Sequence, residues 1–342
     1  MAELGVVLSA PGAVALEEIV VEQPGPGEVL IQVEATGVCH SDLHVVEEDG
    51  WGHRLPVLLG HEAAGTVETV GEGVTSVAAG DRVVVGWKTA CGTCARCEAG
   101  DPRHCSRPPA AAARLRRSNG DVLTPVLRTG TFATRTVLPE AALAVVPREL
   151  PVEQACLIGC AVATGVMSVL ETARVPAGAR VAVIGCGAVG LSVVQGARLA
   201  GASEIRALDL DPERAAAALR FGATHVDPGP VDYVFDVVGR GPTFEQALAL
   251  LANGGTAVLI GLSPAGETAA VDLPMLFRKR GTVLVSHGGD HLPADFARLA
   301  GLALEGRLDL AGMVTRTAGL DGFAEAFDEM RAGTAIRTVL LP

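Results

Sequence analysis

Two textures of apolar and polar positions divide the chain near residue 150. Before it, short apolar runs are cut by glycine and proline, as in EVLIQVEATGV, AAGTVETVGEGV, DRVVVGW and ALAVVP. Such runs predict strands and turns, so residues 1 to about 150 read as an irregular β domain. From about 151 the spacing lengthens. VEQACLIGCAVATGVMSVLETA predicts one long helix, and strands then alternate with helices through RVAVIG, GLSVVQGARLAG, EIRALDL, PERAAAALRFG, VDYVFDVVG, TFEQALALLANGG and TAVLIGL. That alternation predicts βαβ units wound into a parallel sheet. After about 287, PADFARLAGLALEGRL and GFAEAFDEMRAGTAIRTVLLP add helices and a strand placed to return to the first domain. No internal repeat or low-complexity linker interrupts the pattern.

Composition narrows the class. At 342 residues and 49% hydrophobic, the chain can bury a large core, and two domains are expected. The N-terminus carries acidic residues where a secretory signal would carry basic ones. The longest apolar stretch, ACLIGCAVATGVMSVL, is short for a membrane span and is broken by Thr164 and Ser168. The expectation is a soluble cytoplasmic protein with no membrane partner. A net charge of −12 argues against a nucleic-acid partner, which requires a basic footprint; the run RLRR at 114–117 is too small to supply one.

Cysteine placement brings in chemistry. Cys91, Cys94, Cys97 and Cys105 follow a C-x2-C-x2-C-x7-C spacing. In a reducing compartment a tight cluster points to metal rather than disulfides. The ending differs from the ferredoxin run, and four thiolates suit a closed tetrahedral zinc site with no position left for substrate. His104, beside the last cysteine, is a rival ligand. The chemistry then falls to GVCHSDLH, which carries Cys39, His40, Ser41 and His44, to GHEAAG, which carries His61 and Glu62, and to LIGCAVATG, which carries Cys160. Two cysteines from distant segments and a histidine make a three-ligand zinc set with an open fourth position. Cys156 sits four residues before Cys160 on the same predicted helix face, so spacing leaves the two equivalent. Cys156 and Cys186 are read as small buried residues.

In VAVIGCGAVGLSVV, Gly185, Gly187 and Gly190 form G-x-G-x-x-G between a strand and a helix, which lets backbone approach a pyrophosphate at the helix N-terminus. Asp209 closes the next strand, where an acid accepts hydrogen bonds from ribose hydroxyls. Asp211 follows with no adjacent arginine, so a 2′-phosphate would meet two carboxylates and NAD is expected over NADP.

With these motifs in view, nearly the whole chain resembles the zinc-dependent medium-chain alcohol dehydrogenases. The matching stretches are GVCHSDLH, GHEAAGTVETVGEGV, the four-cysteine lobe, LIGCAVATG, GCGAVG, LDLD and GTAIRTVL. Within that family the chain looks most like the class III-like branch, which includes glutathione- or mycothiol-dependent formaldehyde and nitrosothiol enzymes. The resemblance implies an α/β chain, with a GroES-like β-rich catalytic domain at 1–160 and 288–342, a structural-zinc lobe at 91–105, and a Rossmann NAD-binding domain at 161–287. It implies two Zn²⁺ per chain. Cys39, His61 and Cys160 match the catalytic ligands, with Glu62 as an occasional extra ligand; two cysteines and a histidine are the known ligand set of alcohol dehydrogenase. Asp42 matches an acid that orients His61, Ser41 the hydroxyl touching the substrate oxygen, and His44 the base that passes the proton to solvent. His40 and Arg337 match groups at the pyrophosphate, and Arg214 a basic residue near the adenosine ribose. Cofactor contacts are likewise implied at Thr164, Gly185, Gly187, Ala188, Val189, Gly190, Asp209, Gly261 and Leu262.

Two stretches depart from the family pattern. Only DPGP separates GATHV from VDYVFDVVG, where relatives carry a helix, and SRPPAAAARLRRSNGD maps onto no substrate preference. Arg114, Arg116 and Arg117 there either meet an anionic substrate or form a solvated basic loop. EEDGWGHRLP is expected to border the pocket, with Trp51 as a wall. The expected activity is hydride transfer between an alcohol, aldehyde or ketone and NAD(H). The alternatives are a mycothiol- or glutathione-dependent formaldehyde dehydrogenase or nitrosothiol reductase, and a non-catalytic zinc- and NAD-binding sensor or scaffold. The Ser41 and His44 relay argues against the last. A homodimer or homotetramer is expected, formed along the strand near GTVLVSHGG.

Overall fold

A computed structural model describes residues 2–48, 50–288 and 292–342. Asp49 of EEDGWGHRLP and Gly289 of GTVLVSHGG lie outside the described residues. The chain forms two compact units, Met1–Cys160 with Leu292–Pro342, and Ala161–His291.

The first unit is built on two β-sheets. In the larger, strand Glu28–Gly37 pairs antiparallel with Ala63–Val70, with Arg135–Pro139 and with Arg337–Leu341. Alternate residues Val29, Ile31 and Val33 point into one apolar cluster with Val67, Val83, Val85 and Leu138, as the period of two in a strand requires. The strand Arg337–Leu341 does return to this domain, with Val339 opposite Gly37. That pairing delivers Arg337 to the middle of the unit.

The basic run is not a loose solvated loop. Leu115–Arg117 is a strand paired with Ala13–Val21. Its arginines are tied to acids around it: Arg114 to Glu28 at 2.7 Å, Arg116 to Glu22 at 2.5 Å and Arg117 to Glu17 at 2.7 Å. Pairing of the strand fixes these side chains, which spacing within a supposed loop could not show.

The second unit holds a five-stranded, all-parallel sheet. Its order is Glu204–Leu208, Arg180–Ile184, Val231–Asp236, Leu251–Leu259 and Thr282–Val285. Helices Ala188–Ala200, Pro212–Ala217, Gly241–Ala249 and Leu273–Lys279 connect the strands. Just before DPGP, at one edge of the sheet, the chain makes an isolated parallel bridge between Arg206 and His225. Arg206 closes the gap by bonding Asp227 through its carboxylate at 3.0 Å and its carbonyl at 2.9 Å.

Two predicted elements change. The long helix from residue 152 is broken into Val152–Ala155, a tight turn Cys156–Gly159, helix Ala161–Met167 and a wide turn Ser168–Thr172. The break falls on Cys160, whose φ of −138° and ψ of −81° are not helical. Gly159 is pressed on the strand beneath, since a Cβ there would lie 2.1 Å from the Val85 carbonyl. The second change is that strand Leu251–Leu259 begins before TAVLIGL, with a register slip between Val231 and Tyr233 absorbing the extra residues. Among the described residues no single helix is long and apolar enough to cross a membrane.

Candidate active site

Cys39 lies just past the end of strand Glu28–Gly37 and caps the next helix, His40–Glu47. His61 and Glu62 sit in the turn before strand Ala63–Val70, and Cys160 occupies the helix break. Tight backbone makes this convergence possible. Gly60 has φ +90° and a Cβ there would strike Phe132 N at 2.3 Å; a Cβ at Gly37 would lie 2.9 Å from the Glu62 carboxyl carbon. Cys39, His61, Glu62 and Cys160 are all buried, and one ligand atom from each lies within 4.8 Å of the others.

Asp42 ties the pieces together from a fully buried position. Its Oδ1 accepts from Gly60 N at 3.0 Å and from His61 Nδ1 at 3.1 Å, while Oδ2 accepts from Cys39 N at 3.2 Å. Because Nδ1 donates to a carboxylate, Nε2 carries the lone pair that a metal needs. His61 Nε2 and both Glu62 carboxylate oxygens make no hydrogen bond. Buried polar atoms without partners are rare and costly, and two thiols beside them complete a donor set suited to zinc. The residues therefore fit the metal.

Charge follows the same geometry. Burial and the surrounding negative groups push the Glu62 carboxyl up to about 8, against the opposing pull of Arg337. Contact with Cys160 holds the Cys39 thiol well below its usual value, with Arg337 and His61 adding to the effect. The Cys160 thiol is raised by that same contact and by burial. Arg337 is 4% exposed, donates to the Val38 carbonyl and lies 3.6 Å from Glu62. Its guanidinium is thus committed to the metal-ligand cluster, a contact that GTAIRTVL alone does not reveal. Cys156, the rival to Cys160, donates to the Glu153 carbonyl at 3.3 Å and stays outside the cluster.

Ser41 Oγ lies 3.9 Å from Cys39 Sγ. One turn further along the same helix, His44 is partly exposed, with Nδ1 2.8 Å from Glu48 Oε1. His40, at the helix start, is exposed.

The second cysteine group is local. Cys94 is 3.5 Å from Cys97 and 3.9 Å from Cys105, and Cys105 is 3.6 Å from Cys91. Zinc–sulfur bonds of about 2.3 Å in a tetrahedron place sulfurs about 3.8 Å apart; a disulfide needs about 2.05 Å. All eight cysteines are free. Backbone hydrogen bonds at Cys97 and Ser106 hold Cys94 at about 5, while burial and Cys94 push Cys97 up to about 11. His104 bonds Asp101 at 2.7 Å instead and is not among the four donors.

In the second unit, Gly187 caps helix Ala188–Ala200. A Cβ at Gly190 would lie 1.8 Å from the Gly185 carbonyl, and Gly185 itself has φ +96°. Gly187 faces open space, so the loop offers a bare backbone cradle at the start of a helix. Asp209 fastens this loop, with Oδ2 accepting from Cys186 N at 2.7 Å and Oδ1 from Asp211 N at 3.0 Å. Burial, then Asp209, pushes the Cys186 thiol up to about 12. Arg214 sits 3.8 Å from Asp211. Thr164 is buried and its carbonyl accepts from Ser168 at 2.6 Å. At the carboxyl ends of the sheet strands, Gly239 and Gly261 meet so closely that a Cβ on either would lie 2.3–2.4 Å from the other's backbone; Leu262 beside them is 47% exposed. Asp236, not singled out by any sequence motif, holds this crossing by accepting from Val238 N at 3.0 Å and Gly239 N at 3.1 Å.

Comparison with known proteins agrees with this anatomy. Residues 25–148 match the alcohol dehydrogenase GroES-like domain and residues 188–305 the zinc-binding dehydrogenase domain. An S-(hydroxymethyl)glutathione dehydrogenase of Paracoccus denitrificans is 33% identical over 98% of both chains. One from Photobacterium damsela subsp. piscicida is 37% identical over 94% of this chain and 95% of its own. Among solved structures, an alcohol dehydrogenase zinc-binding domain protein from Burkholderia ambifaria is 33% identical with a TM-score of 0.93, covering 100% of this chain and 99% of its own. Benzyl alcohol dehydrogenase from Acinetobacter calcoaceticus is 28% identical with a TM-score of 0.91 over the same shares. The chain belongs to the zinc-dependent alcohol dehydrogenase family, enzymes that transfer hydride between alcohols and a nicotinamide cofactor.

Proposed function

We propose that this enzyme oxidises a small alcohol, or reduces the matching carbonyl, at Cys39, His61 and Cys160, with NAD(H) carried by the 185–190 loop. The observation that carries the site is His61 Nε2, buried without a hydrogen bond while Asp42 holds the other ring nitrogen. Bound there, zinc supplies a Lewis acid that lowers the pKa of an alcohol hydroxyl, and the cofactor supplies the hydride acceptor. The chain's own residues do the rest. Asp42 orients His61 and Cys39 together, Ser41 takes the hydroxyl proton, and His44 passes it toward solvent. Glu62 stands ready as an extra ligand, its charge balanced by Arg337. His40, exposed at its helix start, and Arg337 are the groups assigned to the pyrophosphate. Asp209 receives the ribose hydroxyls with the oxygen capacity left after two backbone bonds, beside Arg214; Thr164, Gly261 and Leu262 complete the cofactor contacts. Two carboxylates at 209 and 211 favour NAD over NADP. The four cysteines at 91–105 form a second, structural zinc site.

A thiol-adduct substrate is the second reading, favoured by the two dehydrogenase relatives named for S-(hydroxymethyl)glutathione. Against it, the arginines at 114–117 are all held by acids. NADH formation from a panel of alcohols, and from formaldehyde with and without glutathione or mycothiol, decides between the two. Turnover of simple alcohols supports the first, and a strict thiol requirement overturns it.

The outer strand Thr282–Val285 exposes Val283 and Val285, next to Leu273 at 69% and Phe277 at 85% exposure. An uncovered apolar strand edge is a pairing surface, so a homodimer joined there is expected, or a tetramer built from it. Light scattering on Phe277→Glu tests this, because the variant should be monomeric. The eight free thiols suit a reducing compartment such as the cytoplasm.

A further inference from the structure

Proton release needs an oriented base, and the helix carrying His44 runs straight into the groups that orient it. We infer that Glu48 is a positioning residue for His44, fixing its tautomer while Trp51 fixes its ring plane; this rests on the relay proposed above. Glu48 Oε1 lies 2.8 Å from His44 Nδ1. In the neutral ring a carboxylate can only accept, so Nδ1 carries the hydrogen and Nε2 keeps the lone pair. Nε2 is thereby the atom that takes a proton, and the imidazolium that results faces a carboxylate. Trp51 stacks on the other side, with ring centroids 5.8 Å apart and planes 26° apart.

The backbone is bent to make this clamp. Gly50, Trp51 and Gly52 have φ values of +92°, +46° and +77°. For tryptophan this is a rare conformation that the surroundings must enforce. They do so at several points. Trp51 N donates to the Glu48 carbonyl at 2.9 Å and Gly50 N to the Val45 carbonyl at 2.8 Å. His53 Nδ1 donates to the Gly50 carbonyl at 3.0 Å, and its Nε2 accepts from Leu127 N at 3.3 Å. Glu47, the neighbouring acid on the same helix, is bound by Arg331 at 2.9 Å, and Arg331 by Asp328 at 2.7 Å. A surface ion pair four residues apart adds little stability, so the strained turn points to a role in catalysis.

The test uses full-length, zinc-loaded enzyme and the variants Glu48→Ala, Glu48→Gln, His44→Ala and the His44→Ala/Glu48→Ala double variant. Glu48→Ala is expected to lower kcat for alcohol oxidation about tenfold, with KM for NAD⁺ within about twofold and a larger solvent deuterium isotope effect. Glu48→Gln, which keeps an acceptor oxygen, should recover part of the rate. The double variant should be no slower than His44→Ala, because Glu48 acts through that ring. If His44→Ala is slow and Glu48→Ala is not, the clamp is wrong and the relay stands. If His44→Ala turns over normally, the relay itself fails and the clamp with it.

Discussion

The two cysteine clusters of the first unit are made of similar atoms and solve opposite problems. The lobe draws its four sulfurs from fifteen consecutive residues, 91 to 105, with neighbouring sulfurs 3.5–3.9 Å apart. Four thiolates complete a tetrahedral shell, so nothing is left to bind substrate. The other cluster gathers Cys39, His61, Glu62 and Cys160 from three distant segments, every one of them buried, and needs Asp42 to hold two of those segments at once. Cys39, His61 and Cys160 leave the fourth place to Glu62, which the family pattern gives only as an occasional ligand. On the proposed function, a donor set with one exchangeable place, rather than the presence of cysteine, separates a site that reacts from one that braces.

Cutting a ligand from each cluster should separate them further. Cys160→Ala should lower turnover by several orders of magnitude and remove one metal per chain, with the lobe metal retained, as elemental analysis would show. Retention of both metals with normal turnover would break the comparison. Next in size, Asp42→Asn keeps the shape but offers Gly60, Cys39 and His61 an amide in place of a carboxylate. It should cost roughly 10–100-fold in metal affinity or turnover, read by competition with a chelator. Cys97→Ser should leave the fresh enzyme's kcat nearly intact while the lobe metal is lost. Its half-life at elevated temperature should shorten on the order of tenfold. An immediate loss of kcat would mean that the lobe does more than brace. Smallest is Arg103→Ala, which frees the lobe from Asp295, bound at 3.0 and 3.2 Å. Thermal unfolding should report about 1 kcal/mol or less with turnover unchanged.

The cluster with local spacing was the more legible of the two. C-x2-C-x2-C-x7-C names its own ligands, and its geometry follows from chain proximity. The dispersed cluster could be named from motifs, yet the choice between Cys156 and Cys160 depended on a backbone break that helical periodicity hides. Arg337 was visible as a basic residue but not as the partner of Glu62, since the pairing of two strands far apart in sequence, at Val339 and Gly37, brings them together. Likewise RLRR read as a loose basic loop until pairing with Ala13–Val21 set each arginine against an acid. Helix and strand types in the second unit followed the apolar period closely, because the inner strands there are buried and the chain alternates regularly between strand and helix. The exceptions, at DPGP and at Leu251, are places where register rather than periodicity decides.

The strand Arg337–Leu341 also bears on how the protein is made. Residues 161–291 form a continuous unit, whereas the unit holding both cysteine clusters is closed by residues 292–342. Chains emerge at about 5–20 residues per second, so Cys39, His61 and Cys160 leave the ribosome well before Arg337 can pair with Glu62. Residues 161–291 can therefore fold while the other unit still lacks a central strand. Until then Cys39, His61 and Cys160 lack the Arg337 that lies beside Glu62, and on the proposed function the site is complete only with the closing strand.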